Sequence, residues 1–520
     1  MKLNCMPFDI RSMRFHQLIL SSFIFLTLSF SGFAQEESYE LIFPSDDPSL
    51  TKEGKTKEGK RDGLWTMYNA DSSFLQRGYY AEGKRAGVWM IFLDKRERAR
   101  IKYDNGSRNG SYVLFNEEGK STVITNYSLG ELNGTWSSYY GSGQLYEKGT
   151  FEGGSKTGTW NSYYENGVLQ ISSQYKKGKL DGSFQQYDPY GSLMIETSYK
   201  DGLLNGNWLK YDGTIVIEKG QFAYGERNGE WLYYEFSEFS PSIKEYYDNG
   251  KKTGTWTTYH STGRLASQIT YDKDKPVGIA KEWYINGQVA SETRYRLGVV
   301  DSTFTAYYDN KVVAETGEFK LGLKEGVWKY YHENGMISEF GSFKNDQRVG
   351  NWKSFSPRGK LTSEGDYQLG KQQGQWFTYH ESGELSSIGS YLAGEKDGLW
   401  GYFHEDGSPM LEETYKNGKL MKLSDFTDDD GDKHSSGTLT NGEGIKIGYY
   451  PDGTKFSEGP YKKGLPNGKW TFFDERGRKL SAGELINGLK DGGWNIYAKN
   501  GKLIRIEMYD NGELTNEVSR

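Results

Sequence analysis

The stretch from Asn133 to Lys156 reads NGTWSSYYGSGQLYEKGTFEGGSK, and the next 24 residues read TGTWNSYYENGVLQISSQYKKGKL. A Gly-x-aromatic step carries this phase along the chain. It runs from Gly63-Trp65 and Gly87-Trp89 through Gly134-Trp136, Gly158-Trp160 and Gly206-Trp208 to Gly468-Trp470 and Gly492-Trp494. Nearly every step is 24 residues, and Gly278-Ala280, Ser302-Phe304 and Gly444-Lys446 hold the phase with substitutions. The interval from Gly398 to Gly444 is 46, two units less two residues, which places a decayed unit near Phe426. The count is 18 recognisable units and one degraded one. A period of this length is the signature of a repeat architecture, and it constrains the fold more than any other feature.

Within each unit an aromatic follows three residues after the Trp position (Tyr139, Tyr163, Tyr379), and in most another follows about fifteen after it (Tyr175, Tyr199, Tyr391), a series that Leu485 breaks. A turn such as Glu165-Asn166-Gly167 separates them. Two turns in 24 residues leave two strands of about six residues. Asn-Gly and Asp-Gly supply the positive φ that hairpin turns need. Apolar residues do not recur at helical spacing, and Gly arrives too often for helices. The expectation is an all-β chain: an elongated, twisted antiparallel meander of about 19 tandem 24-residue hairpins. That makes about 38 strands, on the order of 180 Å. One hairpin is marginal alone, so each aromatic is expected to pack on its equivalent in the next copy. Trp136, Trp160, Trp208, Trp256, Trp328 and Trp376 would form this ladder with the tyrosines named above. The Trp and the aromatic three residues on have opposite parity. Either both sheet faces carry rings, or a bulge turns both inward.

The ends read differently. Lys2, Arg11 and Arg14 precede the apolar run Leu18 to Leu28, and Gly32-Phe33-Ala34 is a small-x-small site. Residues 1–34 are therefore expected to be a secretory signal peptide, with 35–60 a linker and N-terminal cap. Residues 61–420 hold repeats 1–15, 421–443 a degenerate repeat with an acidic loop, and 444–520 further repeats and a C-terminal cap. The leader implies an exported product: periplasmic, cell-surface or secreted. Gln35, not Cys, follows Ala34, so there is no lipobox, and no membrane-spanning helix is expected in the mature chain. The one cysteine, Cys5, lies in the leader, which leaves no disulfide and no thiolate metal site. Removing residues 1–34 takes away Lys2, Arg11, Arg14 and Asp9, a net +2, and leaves −8 from the chain's −6. That charge disfavours nucleic acid and anionic membrane lipid as partners.

Gly-x-Trp-x-x-Tyr-x-x-x-Gly, followed by a second aromatic and a Lys-x-Gly or Asn-Gly turn, resembles the MORN repeat, and more closely its bacterial variant found in antitoxin-annotated proteins. YYENGVLQISSQYKKGKLDG (Tyr163 to Gly182) and YHENGMISEFGSFKNDQRVG (Tyr331 to Gly350) carry the likeness, which extends over about residues 60–515. The resemblance implies consecutive hairpins in a curved sheet, scaffolding or binding roles, and no catalytic residues.

The remaining side chains offer little chemistry. No nucleophile elbow, P-loop or zinc-protease motif is present, and neither enzyme activity nor a cofactor is expected. His260, His332, His380 and His404 share one repeat position, four after the Trp, which holds Tyr140, Tyr164 or Tyr308 elsewhere. Copies of that position lie about 10 Å apart, too far to converge on zinc, so His reads there as another flat ring. Phased as an EF-hand on Gly431, the acidic run puts Phe426 at position 1 and Gly437 at position 12, where ligands are required. Asp428, Asp429, Asp430 and Asp432 stay as candidates for a looser calcium site, against the plainer reading of a solvated loop. Three functions compete: an extended surface for protein partners, carbohydrate or envelope binding through exposed rings such as Tyr140 and Tyr164, and toxin neutralisation by family analogy.

Overall fold

The structure, a computed structural model, describes residues 48–235 and 240–519. The leader expected over residues 1–34 lies outside them. Contacts divide the chain into two units, one of residues up to Ile215 with Phe222–Gly225, the other of Val216–Gln221 and the chain from Glu226 onward. Among the described residues every regular element is a strand. In the first unit the strands from Thr51–Lys57 to Gly206–Asp212 follow one another as antiparallel neighbours. In the second the same meander runs from Glu226–Tyr233 to Lys419–Leu423 and resumes from Gly444–Tyr449 to Glu513–Ser519. Thr51–Lys57 pairs with Lys60–Tyr68, so residue 60 stands at a hairpin turn.

Each repeat alternates two turns. One is a two-residue turn with both residues at positive φ, as at Lys177 (φ 50) and Gly178 (φ 79), the geometry that matches strand twist. The other closes with Gly167 N donating to Tyr164 O at 2.8 Å and Tyr164 N to Val168 O at 2.8 Å. Successive two-residue turns are tied together by a glycine amide, as where Gly322 N donates to Val300 O at 2.8 Å.

The glycine of Gly-x-Trp makes a bulge. Lys148 faces Asn161 and Thr150 faces Thr157, so Gly158, Thr159 and Trp160 share one residue, Gly149, on the facing strand. Gly158 takes φ 66 to allow it. The Trp160 ring then lies flat on Gly149, where a Cβ would come within 2.1 Å of the ring. The Lys156 ammonium caps the outer face at 3.7 Å from the ring centroid. Phe151 and Tyr175 meet the edges at 5.0 and 6.1 Å, and Nε1 donates to Thr150 O at 3.2 Å. The indole is thus enclosed on every side. Its burial contributes about 2–3 kcal/mol, the cation about 0.5–2 kcal/mol and each ring edge about 1 kcal/mol.

Ten tryptophans sit on a glycine eleven residues earlier, and all ten are buried. Trp136, Trp208 and Trp256 face Thr125, Thr197 and Glu245 at that position and are only half-buried. At Trp136 and Trp208 the β-branched threonine also removes the polar contact. Both Nε1 atoms and both threonine Oγ1 atoms are buried without a hydrogen bond. Trp256 keeps its bond to Tyr246 O at 3.1 Å, because the unbranched Glu245 sends its carboxylate away to Tyr233 and Tyr247.

The question of parity resolves as rings on both faces. Trp160 shares its face with Ser173 and Tyr175, whereas Tyr163 lies with Asn161 and Ser172 on the other. Tyr199 and Tyr391 also pack on the Trp face, against Phe184 at 5.5 Å and between Trp376 and Trp400 at 5.9 and 5.0 Å. Tyr139 and Tyr379 follow Tyr163. Tyr379 OH donates across that face to Glu364 at 2.9 Å, and Phe340 and Phe355 stack there at 5.9 Å.

A second inter-repeat contact explains why His and Tyr alternate. Tyr140, Tyr164, Tyr284, Tyr308 and Tyr450 donate their hydroxyls, and His260, His332, His380 and His404 their Nε2–H, to the backbone carbonyl 23 residues ahead, at 2.6–3.1 Å. A carbonyl only accepts, so Nε2 carries the proton. Both rings place one donor at the same reach.

In the decayed unit Ser424 stands where Trp belongs, and Glu413 where Gly belongs, opposite Trp400. The chain leaves the sheet there, forms a two-residue ladder between Phe426–Thr427 and Lys433–His434, and returns. Lys446, at the Trp position of the next unit, sends Nζ back to Glu413 Oε1 at 2.5 Å, and Tyr415 OH donates to Oε2 at 2.7 Å. Burial alone would raise the Glu413 carboxyl, but Lys446 with Tyr415 and Tyr402 outweighs it and holds the group below its ordinary range.

Three measurements test this packing. Gly341→Thr drives a Cβ to within 2.2 Å of the Trp352 ring. It is expected to cost about 1–3 kcal/mol in denaturant unfolding and to red-shift tryptophan emission, whereas an unchanged spectrum would contradict the account. Tyr308→His is expected to be nearly neutral, and Tyr308→Phe to cost about 1 kcal/mol; equal costs for the two would refute the donor role. Lys446→Met is expected to cost about 3 kcal/mol, the low end for a buried pair, since the lysine is a fifth exposed. Because the Glu413 pKa is depressed from 4.5, the pair's stabilisation is present above that value and lost as pH falls through the folded one. The gap between wild type and K446M should therefore close in acid.

Candidate functional site

The residues with the strongest chemical potential are committed to structure. Asp428 is buried, and its Oδ1 accepts the backbone amides of Asp430 at 3.2 Å and Asp432 at 2.7 Å. Its Oδ2 accepts from His434 Nε2 at 2.7 Å. The His434 bond above all, helped by those amides, holds the Asp428 carboxyl below the usual carboxylate range. Asp429 turns to His404 Nδ1 at 2.8 Å, while Asp430 and Asp432 are exposed. The Asp428 and Asp429 oxygens thus satisfy a local turn and two histidines, and among the described residues no three His, Cys, Asp or Glu side chains group as a metal set would.

The four histidines of the shared position stay apart, each bonded to the repeat ahead of it. Tyr140 and Tyr164 spend their hydroxyls in the same way, and Tyr140 also packs edge-on against Tyr146 at 5.0 Å. These rings are half-buried members of the stack. Among the described residues no helix is long and apolar enough to cross a membrane.

What projects outward is the row of two-residue turns. At the first turn position most repeats carry residues such as Asn105, Lys177, Asp201, Asn249, Asn417 and Asn487, and the Asn and Asp among them tolerate the left-handed region well. Five repeats place a large apolar or aromatic residue there instead. Leu129 and Tyr224 in the first unit, and Leu297, Leu321 and Leu369 in the second, all have φ of 50–53°. They are 85, 73, 80, 71 and 72% exposed. Each combines an unfavourable backbone state, on the order of 1 kcal/mol, with a side chain left mostly in solvent. Glycine amides tie the turns of Leu321 and Leu369 to Val300 and Arg348 of the preceding repeat at 2.8 and 3.1 Å, so the tips stand in a row about 10 Å per repeat. Sequence reading passed over these residues. Their signal is Leu-Gly at a turn where Asn-Gly is the norm, as in Leu297-Gly298, Leu321-Gly322 and Leu369-Gly370.

Comparison with known proteins gives the following. The family described as "MORN repeat variant" matches residues 132–152, 156–177, 252–273, 324–345, 348–369, 372–393, 396–417 and 442–463. No curated protein matches the chain. Similar solved structures include TcdB2-TccC3 without its hypervariable C-terminal region, at 12% identity and a TM-score of 0.12, over 85% of this chain and 26% of that one. Another is the Tc holotoxin pore of Photorhabdus luminescens, at 11% identity and a TM-score of 0.12, over 89% of this chain and 30% of that one. The chain thus spans between a quarter and a third of the length of those two chains. With eight matched segments that coincide with its hairpins, and one indole register repeated between them, the chain belongs to the MORN-repeat proteins.

Proposed function

We propose that this chain is an exported, non-catalytic scaffold that holds a partner protein along the apolar turn tips Leu297, Leu321 and Leu369 of its second unit. The observation that carries the reading is the recurrence of Leu129, Tyr224, Leu297, Leu321 and Leu369 at one strained, exposed turn position. A large apolar residue that costs local stability and stays mostly exposed suits a surface that is covered by something else. Repeat proteins present such periodic surfaces to partners. The leader at residues 1–34 supports a site of action outside the cytoplasm. Carbohydrate stacking is the weaker reading, since the rings on which it would rest, Tyr140 and Tyr164, are held by the next repeat.

The test is the triple variant Leu297→Asn, Leu321→Asn, Leu369→Asn. Asn accepts the left-handed turn, so stability should hold or rise by a few tenths to about 1 kcal/mol per site. Pull-down from envelope extract should recover a protein with the wild type and lose it with the variant. A wild type that captures no protein at any salt concentration, or a variant that captures the same one equally well, would sink the proposal.

A further inference from the structure

Among the described residues the first and last strands differ in role and in charge. In the repeats a strand with the Trp position is followed by one with the position that lies beneath the next ring. The first described strand, Thr51–Lys57, is of the second kind: Trp65 lies on Gly54 and donates to Lys55 O at 2.8 Å. The last, Glu513–Ser519, is of the first kind, with Val518 24 residues after Trp494. Among the described residues each is paired on one side only. A further strand added beyond Glu513–Ser519 would therefore be of the type of Thr51–Lys57, and antiparallel to it.

The register follows from the interior. Trp470 faces Gly483 and Lys469 faces Glu484 where two such strands meet. Shifted to the ends, Val518 of one copy faces Gly54 of the next, and Glu517 faces Lys55, the same kind of cross-strand charge pair with its signs exchanged. The edges agree in charge as well. Thr51–Lys57 carries Lys52, Lys55 and Lys57, and its one carboxylate, Glu53, already accepts the Tyr68 hydroxyl at 2.6 Å. Glu513–Ser519 carries Glu513 and Glu517 and no cation. Lys55, Lys57, Glu513 and Glu517 are all exposed. Like charges on the two edges would keep copies apart; these are unlike.

We infer that the chain associates head to tail with copies of itself, the Glu513–Ser519 edge of one pairing antiparallel with the Thr51–Lys57 edge of the next and extending the meander across the junction. Such a contact is heterologous, so it propagates beyond a dimer, and its charge pairs weaken with salt.

The experiment measures the mass of the mature chain by light scattering from low to high micromolar concentration at low salt. The expected result is a mass that climbs through multiples of one chain. Lys55→Glu and Glu517→Lys each set like charges in register and should weaken association at least tenfold, with unchanged circular dichroism. The double variant K55E/E517K restores an opposite pair and should recover the wild-type curve. A wild type that stays monomeric throughout, single variants that associate as well as wild type, or a double variant that fails to recover would each overturn the inference.

Discussion

A tryptophan lying flat on a glycine of the neighbouring strand organises the rest of this structure. The contact needs no Cβ on one side and a broad ring on the other. It also needs the bulge that lifts the Trp strand into place, so it fixes three positions of each repeat at once: the glycine beneath, the glycine two before the Trp, and the Trp itself. The indole N–H then finds a carbonyl of the facing strand, and the outer face is left for the Lys or Arg four residues earlier, as with Arg348 at 3.9 Å over Trp352. Where the glycine is a threonine, as at Thr125 and Thr197, the ring is half-exposed and its N–H has no acceptor. That contrast within one chain serves as a mutational series carried out by the sequence itself.

The remaining contacts build outward from that enclosure. The aromatic fifteen residues on closes the gap between successive indoles edge to face, and the Tyr or His ring reaches one repeat forward to a carbonyl. The polar face carries cross-strand pairs such as Lys353 with Glu364 at 2.8 Å. None of these interactions spans more than adjacent repeats. The decayed unit follows the same logic by other means: with no indole available, Lys446 reaches back over 33 residues to the carboxylate that stands in the glycine's place.

Much of the fold was legible in the letters. The Gly-x-Trp period, the Asn-Gly turns and the interruption near Phe426 all survive as hairpins and a break, because turn chemistry and ring spacing are local. The face of each ring was not legible, since parity alone could not say whether a bulge lay between Trp160 and Tyr163; one bulge lies before Trp160, at Gly158, and the register shift after Ser162 puts its extra residue, Gln170, on the facing strand, so Trp160 and Tyr163 keep opposite faces. The glycine under each ring was visible as Gly-x10-Trp, from Gly149 to Trp160 or Gly341 to Trp352, but among 67 glycines it looked like one more turn residue. Asp428 to Asp432 have the composition of a cation site, and composition did not show that Asp428 caps the amides of its own turn. The outward-facing leucines escaped notice because a lone Leu-Gly is unremarkable until its φ and exposure are known.

The forward reach of the Tyr or His ring has an evolutionary corollary. Each such ring reaches only the next module, through a main-chain oxygen that every residue type provides. Deleting or duplicating one whole module by unequal recombination therefore leaves a new seam chemically identical to the old one. The array can lengthen or shorten in steps of one hairpin without any compensating change elsewhere, which lets the number of modules adapt to whatever the protein must span.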